Sequence, residues 1–119
     1  MRIAIPVETF VREFNAKILL AIKLAQNGHD IYIGESSPLN MGLDLIDPDI
    51  YISNCNFVDR KFAHKIRSKI FLLDSEGGVF RSKEEYSTRI DTNRLENVDH
   101  YLAWGQKTAY IVENNSFST

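Results

Sequence analysis

Short apolar runs rich in β-branched residues recur along this chain, with stretches of helical length between most of them. That alternation constrains the fold more than any single motif. Arg2 to Val7 (RIAIPV) is almost wholly apolar and reads as a buried parallel strand. From about Phe10 to Asn27 apolar residues return every three or four positions. This predicts a helix with Phe14, Ile18, Ala21, Ile22 and Ala25 facing inward. Thr9 suits its N-cap, and Gly28 suits the left-handed position that closes it. Ile31 to Gly34 is a second strand, followed by a polar stretch, Glu35 to Asn40, that forms a short helix or loop. Asp49 to Asn54 is a third strand, and Val58 to Ser68 a helix with Phe62 and Ile66 inward. Lys69 to Asp74 is a fourth strand, ending in the turn Ser75-Glu76-Gly77-Gly78. Ser82 and Glu85 have capping-box spacing. Val98 to Trp104 is a fifth strand, Gln106 to about Asn114 a last helix, and residues from about 115 to 119 a frayed tail.

Strands joined by helical crossovers must run parallel, with helices covering both faces of the sheet. The expected fold is therefore α/β, a Rossmann-like three-layer α/β/α sandwich around a mainly parallel five-stranded sheet. Its 119 residues make one domain. In such sheets ligands sit beyond the carboxyl ends of the strands. The segments to watch are Pro6 to Arg12, Gly34 to Asn40, Asn54 to Asp59, Asp74 to Phe80 and Gly105 to Lys107.

Composition removes several function classes. Fourteen Lys and Arg stand against sixteen Asp and Glu, a net charge of −2, which argues against a dedicated nucleic-acid binder. The single cysteine, Cys55, excludes an internal disulfide and a multi-thiolate metal site, and fits a reducing, cytoplasmic compartment. No secretory leader is evident at Met1 to Glu8, and no apolar run approaches the ~20 residues of a membrane span. A place at the inner face of the membrane, within a larger assembly, stays open. His29 falls on the edge away from the ligand side and reads as structural; His64 reads as exposed, and His100 opens a strand. None has metal-ligand spacing, so no metal and no cofactor is expected.

Two constellations can carry chemistry. The first loop lacks a Gly-rich phosphate fingerprint and instead offers Glu8 and Arg12 at the start of the first helix. Arg12 has the planar donor fork that grips phosphate or carboxylate, and the helix N-terminus favours an anion. The bland alternative is Arg12 paired with Glu8 or Glu13, or solvated. The fourth strand ends in Asp74-Ser75-Glu76-Gly77-Gly78. Two neighbouring carboxylates can raise one another's pKa toward general-base work, and Gly77 and Gly78 let backbone approach a substrate. The alternative is an ordinary polar turn. Trp104, closing the fifth strand, can stack on a sugar ring or close the core. Cys55 reads as an idle or buried thiol.

Several of these pieces together resemble one known family. Ile3-Ala4-Ile5-Pro6-Val7-Glu8, then Val11-Arg12-Glu13-Phe14 and its continuation to Ala21, then Leu24-Ala25-Gln26-Asn27-Gly28-His29 running into Ile31-Tyr32-Ile33-Gly34, look like the opening of bacterial surface polysaccharide biosynthesis proteins of the GT-B glycosyltransferase type. Leu73-Asp74-Ser75-Glu76-Gly77-Gly78 resembles that family's D-x-E-G turn, and Ala103-Trp104-Gly105 its aWG strand end. The resemblance covers nearly the whole chain, but only the family's N-terminal, acceptor-side domain. It implies sugar transfer from a nucleotide-activated donor to a glycan acceptor, with the donor held by a second domain that this sequence lacks. It also implies Glu76 or Asp74 as base, with Glu8, Arg12, Gly77, Gly78 and Trp104 around the substrate. Alone, such a domain is expected to be inactive, and it would need a partner subunit or its own missing half.

Two other readings stand beside it. One is a non-catalytic α/β module that binds a protein partner or a small anion, either through another chain or as a homo-oligomer. The other is a stand-alone nucleotide-binding or receiver-like domain; for the receiver version Lys107 is near the right place but the acidic cluster at the end of the first strand is poor.

Overall fold

The computed structural model describes residues 1–53, 67–73 and 98–102. They build an α/β Rossmann-like sheet of five parallel strands in the order β2-β1-β3-β4-β5. The strands are β1 (Arg2–Val7), β2 (Asp30–Glu35), β3 (Ile50–Ser53), β4 (Lys69–Leu72) and β5 (His100–Tyr101). The described helices are α1 (Phe10–Gln26), α2 (Ser36–Met41) and α3 (Leu43–Ile46). Of the predicted elements, the capping box at 82–85, the last helix and the helix at 58–68 lie outside the described residues, except for Arg67 and Ser68, which are not helical.

β1 is the centre of the sheet, and Ile3 through Val7 are all buried. Alternation of side chains then sorts the core into two faces. On one face Ile3, Ile5 and Ile52 meet Ala21 of α1, with Leu20, Leu24, Ile31, Ile33 and Phe71 packed around them. On the other, Ala4 and Tyr51 meet Leu43 of α3, with Leu39 of α2 against them. The Tyr51 hydroxyl also donates to Asn40 Oδ1 at 2.9 Å, which ties α2 to β3. Helices on both faces give the expected three layers. Sequence reading left α3 unassigned because its four residues are too few to show a period.

α1 spans the predicted range but is rotated from the predicted face. Ala21 is buried and Phe14 and Ile18 are half-buried, as expected, whereas Ile22 and Ala25 are exposed. The inward row is Glu13, Lys17 and Ala21, continued by Leu20 and Leu24. The apolar arc of this helix is broad, running from Leu24 through Phe14 and Ile18 to Ile22, while Arg12, Asn15, Lys23 and Gln26 share the opposite side. Periodicity therefore places the inward face only to within that arc, and Ala21 is the α1 residue buried against Ile3, Ile5 and Ile52.

The C-terminal stop is as predicted. Gly28 sits at φ +89°, and the Gly28 and His29 amides donate back to Ala25 and Leu24 carbonyls. A side chain at Gly28 would meet nothing within 4 Å, so the demand there is on backbone conformation alone. His29 Nδ1 lies 3.3 Å from the Met1 amine, in keeping with a structural role.

Candidate functional site

The strand order reverses at β1: the chain leaves β1 for β2 on one side and returns to β3 on the other. In parallel sheets this reversal opens a crevice at the carboxyl ends of the two strands. On the β3 side the register of β1 ends at Ala4–Tyr51, two residues short of Pro6. The β1–β2 register, by contrast, runs through to Val7–Glu35.

Two predicted residues flank this crevice. Glu8 follows β1 directly and Arg12 lies on the first turn of α1; both are exposed. Asp74, Glu76, Gly77, Gly78 and Trp104 lie outside the described residues, as do Cys55 and His64. The last described residue after β4, Leu73, donates its amide to the Ser53 carbonyl of β3 at 2.8 Å.

The start of α1 is built differently from the expectation. Thr9 holds the N-cap position, yet its side chain makes no capping bond. Instead the Glu13 carboxylate reaches back and accepts the Thr9 amide at 2.6 Å through Oε2. The helix end that was expected to attract an external anion thus already has a carboxylate on it, where the helix dipole favours one. Glu13 is 3% exposed, and its second oxygen, Oε1, is buried with no hydrogen-bond partner among the described residues.

One turn further in, Lys17 is also 3% exposed. Burial lowers the pKa of its amine, while the negative charges of Glu13 and Glu8 pull the other way. A second buried oxygen without a partner among the described residues is Ser36 Oγ, on the first residue after β2 and at this same edge of the sheet. Buried polar atoms are usually satisfied, so these two stand out among the described residues.

Glu13, Lys17 and Ser36 were missed by sequence reading. The signal was present in part: Glu and Lys at i and i+4 are a common helix pair, normally read as solvated. Their burial shows only once the rotation of α1 is known. Among the described residues there is no cluster of His, Cys, Asp or Glu suited to a metal ion, and no helix is long and apolar enough to cross a membrane. Comparison with known protein families, with curated proteins and with solved structures finds no match.

Proposed function

We propose that this chain is the acceptor-side domain of a glycosyltransferase-like protein of bacterial surface polysaccharide biosynthesis. It would hold a glycan acceptor at the β1–β3 crevice while a separate donor-binding domain presents a nucleotide-activated sugar. The reading starts from the resemblance carried by the Val11-Arg12-Glu13-Phe14, Asp74-Ser75-Glu76-Gly77 and Trp104-Gly105 pieces. The observation that supports it most is that Glu8 and Arg12 lie exposed where α1 follows β1, at the carboxyl edge of the sheet, with the buried Glu13 carboxylate behind them. A carboxylate such as that of Glu8 accepts from a sugar hydroxyl without changing charge. Glu8 and Arg12 stand exposed at the rim to orient the rest of the glycan. In the transfer step Glu76 or Asp74 would take the acceptor hydroxyl's proton as its oxygen attacks the sugar carbon and the nucleotide leaves.

The test has two parts. Amide spectra of the chain titrated with oligosaccharide acceptors should shift around Glu8 to Glu13 and Ser36; no shift there up to about 10 mM would sink the acceptor site. With a donor-binding domain added, Glu76→Gln or Asp74→Asn should lower transfer by about 100-fold or more. Full activity in both variants would remove the proposed base.

A second reading rests on a different surface. The outer side of α1 exposes Val11 (95%), Leu19 (59%) and Ile22 (49%), which suits a non-catalytic module that binds a protein partner. Partner binding that survives Arg12→Ala and Glu76→Gln but is lost with Leu19→Ser would favour it.

A further inference from the structure

The opposite edge of the sheet carries a groove that the reading above does not use. It has a volume of about 600 Å³ and lies against the amino ends of β3, β4 and β5. Its floor follows from strand register. Lys69 and Phe71 are two apart on β4 and so share a face, and Phe71 is in register with His100 of β5. The Phe71 and His100 rings pack at 4.6 Å between centroids, tilted by 46°. Phe71 is half-buried and His100 exposed, so this aromatic pair offers ring surface to the groove.

The walls carry opposite charges. Arg67 and Lys69 are exposed cations with no partner among the described residues. Asp47 and Asp49 also line the groove. Asp47 is held in the left-handed region, at φ 46°, as the residue that closes α3. Asp49 is fixed through Oδ2, which accepts the Arg2 amide at 2.8 Å. Ser68, between the two cations, donates to the Pro48 carbonyl at 2.6 Å and is itself buried, so the two walls are joined at their base.

We propose that this groove binds a nucleoside phosphate. A planar base stacks on the exposed His100 ring, which Phe71 backs, sugar hydroxyls donate to Asp47 and Asp49, and the phosphate lies between Arg67 and Lys69. Each chemistry has its partner: an aromatic surface for the ring, acceptors for the hydroxyls, and a cation pair for the anion. The volume lies within the ordinary range for small-molecule sites. This site is separate from the acceptor crevice and does not depend on it.

The experiment is calorimetric titration of the chain with adenosine 5′-monophosphate, in parallel with adenosine and with inorganic phosphate. Saturable one-to-one binding of the nucleotide is expected, with each fragment alone at least about tenfold weaker. The variants Arg67→Ala and Lys69→Ala should each weaken nucleotide binding about tenfold, and Asp49→Asn should do so without changing the phosphate arm. These side chains are exposed, so the fold should survive, which the amide spectrum will report. Amide shifts should fall at Lys69 to Phe71 and His100 and leave Glu8 to Glu13 unmoved. Absence of binding up to about 1 mM would overturn the site, and so would equal binding by the wild type and an Arg67→Ala/Lys69→Ala double variant. Neither outcome bears on the acceptor titration, which reads the other edge.

Discussion

The two halves of α1 meet the same sheet with opposite chemistry. The C-terminal half presses Leu20, Ala21 and Leu24 onto Ile3, Ile5 and Ile52. The N-terminal half buries Glu13 and Lys17 instead, while Val11 beside them is left 95% exposed. Burying charge is costly and leaving a valine in water gains nothing, so folding alone does not select this arrangement. The polar half lies where the strands end at the crevice, and the apolar half lies along their length. Violations of ordinary burial rules concentrate at functional sites, and in this helix they fall at the end that carries the candidate site.

The comparison breaks first at Glu13. Its removal leaves Lys17 buried without one of its two nearby negative charges and strips the acceptor from the Thr9 amide. Glu13→Ala should cost about 3 kcal/mol in a urea titration. Replacing both residues, as Glu13→Met with Lys17→Met, should recover part of that loss, because no lone charge then remains inside. In the apolar half the half-buried Leu24→Ala should cost about 2 kcal/mol, the low end for such a truncation. If Leu24→Ala proves the more damaging, the polar half is not the special one.

The next effect is on pH dependence. Lys17 has a folded pKa below its ordinary 10.5, so between the two values the unfolded chain binds the extra proton. Stability should therefore rise with pH across that window and level off above about 10.5. Other groups titrate there too, so the quantity to follow is the difference in unfolding free energy between wild type and Lys17→Met. That difference should change through the window. A flat difference would mean that the Lys17 amine is not desolvated.

Much of the sheet was legible because its signals are local. β1, the extent of α1, the stop at Gly28 and the starts of β2 to β4 all follow from apolar runs and turn residues. The exact rotation of α1 was not legible, because a broad apolar arc leaves the choice within it to tertiary packing. The candidate site suffered for the same reason. Glu8 and Arg12 could be placed at the correct edge from the topology alone, but Glu13 and Lys17 could be recognised only once the helix had been turned. The strand reversal at β1 is likewise a property of pairing between distant segments, which no run of residues encodes by itself.

The smallest predicted effect separates two ways of starting a helix. Thr at an N-cap usually contributes about 1 kcal/mol through its hydroxyl. Here the hydroxyl makes no such bond, and the Thr9 amide is held by the Glu13 carboxylate. Thr9→Ala keeps that amide and should therefore change stability by no more than about 0.3 kcal/mol, well under the usual cap loss. In a Glu13→Gln background the amide bond can persist through the neutral side chain, but the charge on the helix end is gone. A Thr9→Ala cost that stays small in both backgrounds leaves the capping role with Glu13. A loss near the usual value in the wild type would return the cap to Thr9.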